Sequence, residues 1–252
     1  VASRIDSAGL HLIGVPSLLE ELLAALDCFC TPQKLAVGLL TGVLLLAATL
    51  PAMLGLWHPG ASFAVGLLVV LGQMALLSRL SFQELSRSRS TSLREAARGI
   101  VGLTLRTVCT LGVVIGVLAA MRYASPWAGA QLPESWPGYL VDLALLALGL
   151  PVAGLAIYLT PLVSLLVVEE CGLWTAVPQW FRLTRGRLLT LFVSQWLTAT
   201  IGLFLTLPLA LILLLVPGLP LAALAVFAVA AVTGYMAVAN VFIYLHLRYS
   251  GR

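Results

Sequence analysis

The sequence predicts an all-α fold: a polytopic membrane protein of six transmembrane helices, with amphipathic interfacial helices on one side and a possible internal repeat. Three observations lead there. The chain is 61% hydrophobic and only 10% charged, too apolar to present a soluble surface. Its apolar runs recur at the length of about 20 residues that a helix needs to cross the hydrocarbon core. Its basic residues fall in alternate loops: Arg79, Arg87, Arg89, Arg94 and Arg98 in one, Arg182, Arg185 and Arg187 in another.

Taken in order, the first span runs from about Leu35 to Leu56 and ends at Trp57, His58, Pro59 and Gly60, a tight hairpin. The second is Ala61 to Leu80 and the third Ile100 to Met121. The fourth, Tyr139 to Val168, exceeds the length of a span and contains Pro151 and Pro161, which predicts tilt or a kink. The fifth is Leu188 to Val216. Pro217 to Pro220 then turn the chain into the sixth, Leu221 to Leu247. The domain reading is an N-terminal segment over 1–32 and a transmembrane domain over 33–252.

The positive-inside rule places Lys34, both arginine clusters, Arg248 and Arg252 in the cytoplasm, so both termini are expected there. Residues 1–16 are mixed and polar and the first apolar run is already span-length, so no signal peptide is expected and the protein reads as an inner-membrane type. The net charge of +4 then reflects topology, with membrane lipids and other protein subunits as expected partners and no nucleic acid.

Three stretches read as amphipathic pieces on the cytoplasmic side. In residues 17–29, Leu18, Leu19, Leu22, Leu23, Leu26 and Phe29 gather on one face, opposite Glu20, Glu21, Ala24 and Asp27, with Ser17 and Glu20 as a capping box. The acidic face argues for packing on the bundle or on a partner over attraction to anionic lipid. In residues 86–98 a basic serine run leads into a short helix, capped by Ser92 and Glu95. In residues 172–187, helical spacing groups Leu173, Trp174, Val177, Trp180 and Phe181 against Thr175, Gln179 and Arg182. Pro178 is expected to distort that helix. Together these stretches predict a docking face for a partner protein or anionic lipid, carried by Arg87, Arg89, Arg94, Arg98, Trp174, Trp180, Arg182, Arg185 and Arg187.

Pro161, Glu169 or Glu170, Gly172, Ala176, Arg182, Leu183, Thr184 and Gly186 stand in an order that resembles two related groups of bacterial membrane proteins. These are the membrane-anchor domain of glycerophosphodiester phosphodiesterases and the YciC-like inner-membrane family. Pro178 and Trp180 depart from the pattern, standing where those groups more often carry a helix former and a serine. The likeness extends loosely over residues 30–250, including Ile243, Tyr244 and Leu245. It implies a helical domain of the bacterial inner membrane and transfers no catalytic residue, because the phosphodiesterase chemistry of the first group belongs to a separate soluble barrel. Aligning Ala96 with Ala176 also matches Leu103 with Leu183 and Thr104 with Thr184, which predicts a repeat of spans two and three in spans four and five.

Inside the spans, Arg106 and Asp142 are the ionisable residues, and Gln73, Gln195 and Asn240 the larger polar ones. Burying an ionised group costs about 2.5–3.5 kcal/mol on insertion scales, so each needs a use. Arg106 near the inner face is expected to snorkel or to meet Glu169 or Glu170, and Asp142 to meet Arg122. The amides are expected to bond between helices. Small residues four apart, Gly112 with Gly116 and Ala230 with Gly234, predict close helix approach.

Catalytic and metal sites are not expected, and neither is a bound cofactor. The four cysteines form no disulfide framework: Cys28, Cys30 and Cys171 fall on the reducing side and Cys109 in a span. Cys28 and Cys30 are two apart on a helix, about 200° around its axis, and do not converge on one metal. His58 and His246 are the candidates for ligating a pigment or metal, but no nucleophile accompanies any histidine. The leading function is therefore a non-catalytic membrane subunit or scaffold. The alternative is a transporter or lipid-handling protein with a polar site at Asp142, Gln195 or Asn240.

Overall fold

A computed structural model describes residues 18–87, 93–109, 154–155, 157–208, 211 and 221–249. Among these residues all regular structure is helical. Four helices are long and apolar enough to cross a membrane: Pro32–Met53, Pro59–Ser86, Leu188–Leu205 and Ala223–Tyr249. The third and fourth expected spans lie largely outside the described residues, as do Gly112, Gly116, Asp142 and Pro151.

The first helix, α1 (Leu18–Phe29), leads through a turn into α2 (Pro32–Met53). Pro32 suits the first helical position, where its missing N–H removes no hydrogen bond. After α2, Gly55 adopts φ +70, and the N–H groups of Leu56 and Trp57 donate to the Pro51 carbonyl at 2.8 and 3.3 Å. The tight hairpin then opens α3 (Pro59–Arg87), which extends seven residues past the expected end of its span. A short α4 (Leu93–Ala97) breaks at Gly99, φ +74, before α5 (Ile100–Thr107).

Residues 157–159 are helical, Thr160 and Pro161 form a turn, and α6 (Leu162–Val168) follows. The next helix, α7 (Leu173–Thr184), continues through Pro178 and stops before Gly186, φ +81. Its successor α8 (Leu188–Leu205) forms the first part of the expected fifth span; residues 207, 208 and 211 are helical as well, and the remainder of that span lies outside the described residues. A proline follows at 208, where the missing N–H cannot bond the Phe204 carbonyl, and Thr206 caps the end by donating its hydroxyl to Leu203 at 2.7 Å. The last helix is α9 (Leu221–Tyr249).

The centre of the bundle is α9. Half of its apolar window is buried inside the protein, against 28–33% for the other three spans, whose remaining surface is left for lipid. It packs on α1, α2, α3, α6, α7 and α8. Buried on every side, α6 exposes neither Leu162, Val163, Leu165, Leu166 nor Val167, as a helix apolar all round requires.

Two close approaches fix α9. A Cβ on Gly234 would stand 2.7 Å from Gln73 Nε2 and 2.9 Å from Phe29 Cε2; a Cβ on Gly42 would meet the Phe227 ring at 2.3 Å. The small-residue spacing around Gly234 therefore serves packing within the bundle. Gln73 Nε2 also donates to the Ala230 carbonyl at 2.9 Å, and Gln195 Nε2 donates to Asn240 Oδ1 at 2.5 Å, so these amides bond between helices. Gly234→Ala is expected to destabilise the protein by about 1–3 kcal/mol through overpacking. Gly38→Ala, where a Cβ meets nothing within 4 Å, is expected to be neutral or stabilising. Thermal unfolding of both variants in detergent checks the contrast.

Two sequence expectations shift in register. In α1 the buried arc is Leu22, Ala25 and Phe29, with Leu18 and Leu26 partly buried, while Leu19 and Leu23 remain nearly half exposed. The small Ala25 lets α1 lie close to α9, which rotates the contact away from the leucine-rich side. Ser17 and Ser92, the expected caps, lie outside the described residues. The repeat does not keep its alignment: matching Ala96 to Ala176 sets Gly99, the break before α5, opposite Gln179 in the interior of α7. Leu103 and Thr104 then belong to α5, while Leu183 and Thr184 close α7 ahead of its span.

Candidate functional site at the basic end

The ends of α3 and α9, the starts of α2, α5 and α8, and all of α1, α4 and α7 share one end of the bundle, and the salt bridges among the described residues lie there. Lys34 on α2 is fully buried. Its ammonium donates to Glu84 Oε2 on α3 at 2.5 Å and to the Cys28 carbonyl at 2.8 Å, and lies 2.9 Å from Cys28 Sγ. This pair ties α1, α2 and α3 together.

A second group joins α9 to the α6–α7 connection. Tyr244 donates its hydroxyl to Glu169 Oε1 at 2.5 Å, and Arg248 pairs with Glu169 while also bonding the Tyr244 hydroxyl. His246 Nδ1 stands 2.8 Å from Glu21 Oε1, and Tyr235 donates to the Leu22 carbonyl at 3.1 Å, which fastens α1 along α9. The other ligation candidate, His58, accepts the Gly60 N–H at 3.1 Å through Nδ1 and caps the start of α3.

The third group lines an open cavity of about 220 Å³ between α3, the α4–α5 junction and the α6–α7 connection. Arg79, Arg98, Arg106 and Glu170 line it, with Gly99 and Gly102 on the α5 side. Arg79 bonds the Arg98 carbonyl and reaches Glu170 Oε1 at 3.4 Å. Arg106 donates to the carbonyls of Glu170 and Cys171 at 3.4 and 3.2 Å. Glu170 has φ +49, which a non-glycine residue adopts at a cost, and this turn directs both carbonyls to Arg106. Burial pushes the Cys171 thiol up, a backbone hydrogen bond and the charge of Arg106 opposing it.

The expected docking residues are distributed unevenly. Arg94, Arg98, Arg182 and Arg185 are exposed, as is Trp174 at 91%. Trp180 is corrected from the docking face to the core. It is fully buried beside the Tyr158 ring, centroids 5.8 Å apart, because it stands one turn from buried Ala176 and about 120° around α7 from Trp174. Arg187 is half-buried and donates to the Leu247 carbonyl at 2.5 Å near the C-terminal end of α9, a structural use. The side chain of Arg87, all of Arg89 and Asp142 lie outside what is described.

Sequence reasoning missed the Lys34–Glu84 pair and the cavity. Both join residues far apart in the chain, and only the lone charges at the span ends hinted at them. Among the described residues no group of three or more His, Cys, Asp or Glu is placed to hold a metal.

Fold and site together define a helical, membrane-embedded protein with a charged, basic end. The chain matches no known protein family, no curated protein and no solved structure.

Proposed function

We propose that this is a non-catalytic multi-pass protein of the bacterial inner membrane, with six spans and both termini cytoplasmic, that acts as a subunit or scaffold. Its basic end docks a partner protein or anionic lipid. The observation that carries this reading is the outer face of α7. Ala176, Trp180 and Thr184 anchor the helix in the bundle, Tyr158 bonding Thr184 Oγ1 at 2.7 Å, while Trp174, Phe181, Arg182 and Arg185 stay exposed. Aromatic and arginine side chains on one outer face of a rigid helix suit the headgroup boundary or a second protein.

Kinship with the phosphodiesterase membrane-anchor and YciC-like groups is part of the proposal. It carries no catalytic role, and Gly172, Ala176, Thr184 and Gly186 of the shared pattern serve here to start, seat and end α7.

The double variant Arg182→Glu with Arg185→Glu reverses two exposed charges without touching the core. At about 1 kcal/mol per basic residue near an anionic surface, it is expected to reduce co-purifying anionic lipid or partner at least about tenfold. Lipid content and co-purification equal to wild type would overturn the docking role.

A further inference from the structure

We propose that the cavity between Arg79, Arg98 and Arg106 is a binding site for the phosphate headgroup of a membrane lipid, with phosphate monoesters preferred over diesters. This deepens the docking reading above and rests on it for the lipid surface. Three guanidinium groups against one carboxylate leave a formal charge of +2 around a cavity of about 220 Å³. Guanidinium forks are the side chains best matched to phosphate, and a monoester near pH 7 carries close to the two charges that balance the site. The carboxylate of Glu170 holds Arg79 only loosely, at 3.4 Å with 69% of its side chain exposed, so an incoming phosphate displaces a weak internal anion.

The depth of the cavity argues for lipid as the source. Arg79 stands twenty residues along α3 from Pro59. At about 1.5 Å per residue that is about 30 Å, one hydrocarbon thickness, which sets the guanidinium at phosphate level. The surface beside it is apolar: Val101 and Leu105 are 79% and 62% exposed and each immediately precedes a cavity residue, Gly102 and Arg106. A phosphate in the cavity therefore has a strip for its acyl chain next to it. A Cβ on Gly102 would meet nothing within 4 Å, so the α5 side of the cavity is open.

The test uses the full chain in phosphatidylcholine nanodiscs doped with phosphatidic acid or with phosphatidylglycerol, bound lipid being counted by native mass spectrometry after gentle release. Phosphatidic acid is expected to be retained in preference to phosphatidylglycerol. Arg98→Gln, which alters an exposed side chain, is expected to weaken retention about tenfold, the loss of one charge-assisted contact. Gly102→Leu is expected to weaken it by filling the cavity. Glu170→Gln is expected to strengthen it several-fold, a gain that no folding defect imitates. Inorganic phosphate added in excess is expected not to displace the lipid; full displacement would make the site one for free phosphate and overturn the lipid assignment. Equal retention in Arg98→Gln, Gly102→Leu and wild type would overturn the cavity site. If lipid is lost only in Arg182→Glu with Arg185→Glu, the general docking reading stands and the cavity proposal fails; if no variant changes lipid content, both fail.

Discussion

Replacing Lys34 with methionine is expected to destabilise the protein by about 3–5 kcal/mol, the cost of leaving one member of a buried ion pair without its partner. Lys34 has no exposed surface and holds Glu84 and the Cys28 carbonyl at once, so the change strands a carboxylate on α3 and loosens the turn between α1 and α2. The second substitution Glu84→Leu, added to Lys34→Met, is expected to restore most of the loss. An apolar pair avoids the desolvation that the ion pair must overcome. Thermal unfolding in detergent of both single variants and the double variant measures the coupling. Additive losses would show that the two side chains do not act as a pair.

Trp180→Ala is expected to cost a similar amount, about 3–5 kcal/mol, because it removes a fully buried ring packed on Tyr158 and leaves a cavity where α7 meets the bundle. Trp180→Phe is expected to cost much less, about 1 kcal/mol. Its ring keeps the aromatic packing, and the buried Trp180 Nε1 has no hydrogen-bond partner to lose among the described residues. Trp174→Ala, six residues earlier and 91% exposed, is expected to fall within about 0.5 kcal/mol. Equal losses at the two tryptophans, followed by the midpoint of thermal unfolding, would place Trp180 outside the core.

The α7 tryptophans show how far sequence reached. Apolar run lengths and the alternation of basic loops were enough for the membrane class, the hairpin at Trp57–Gly60, both ends of α2 and α9 and the start of α3 to within a few residues, since hydrophobic length is a one-dimensional property; the polar last two turns of α3, past Leu80, carry no such signal. Which side of α7 faces inward was not legible. Leu173, Trp174, Val177, Trp180 and Phe181 form one broad apolar arc in sequence, and the small Ala176 decides the contact by letting the helix approach. The same happened in α1, where Ala25 draws Leu22 and Phe29 inward and leaves Leu19 and Leu23 outside. Small residues carry little weight in a hydrophobic pattern, yet they set the distance between helices.

Charge partners were legible in part. Arg106 was expected to reach Glu169 or Glu170; it reaches the carbonyls of Glu170 and Cys171, while the Glu169 carboxylate is held by Tyr244 and Arg248. A one-residue turn of the backbone at Glu170 decides between these, and composition does not encode it. The polar pair Gln195 and Asn240, placed in the fifth and sixth expected spans, is bonded across α8 and α9.

Docking at the basic end requires that end to face the cytoplasm, and labelling of single cysteines from one side of the membrane tests this directly. In a variant with the four native cysteines replaced by serine, Trp57→Cys marks the α2–α3 hairpin and Thr175→Cys the exposed face of α7. A membrane-impermeant maleimide applied to intact spheroplasts is expected to label the first at once and the second only after permeabilisation. Labelling of Thr175→Cys in intact spheroplasts, with Trp57→Cys protected, would put the basic end outside and contradict a cytoplasmic docking face.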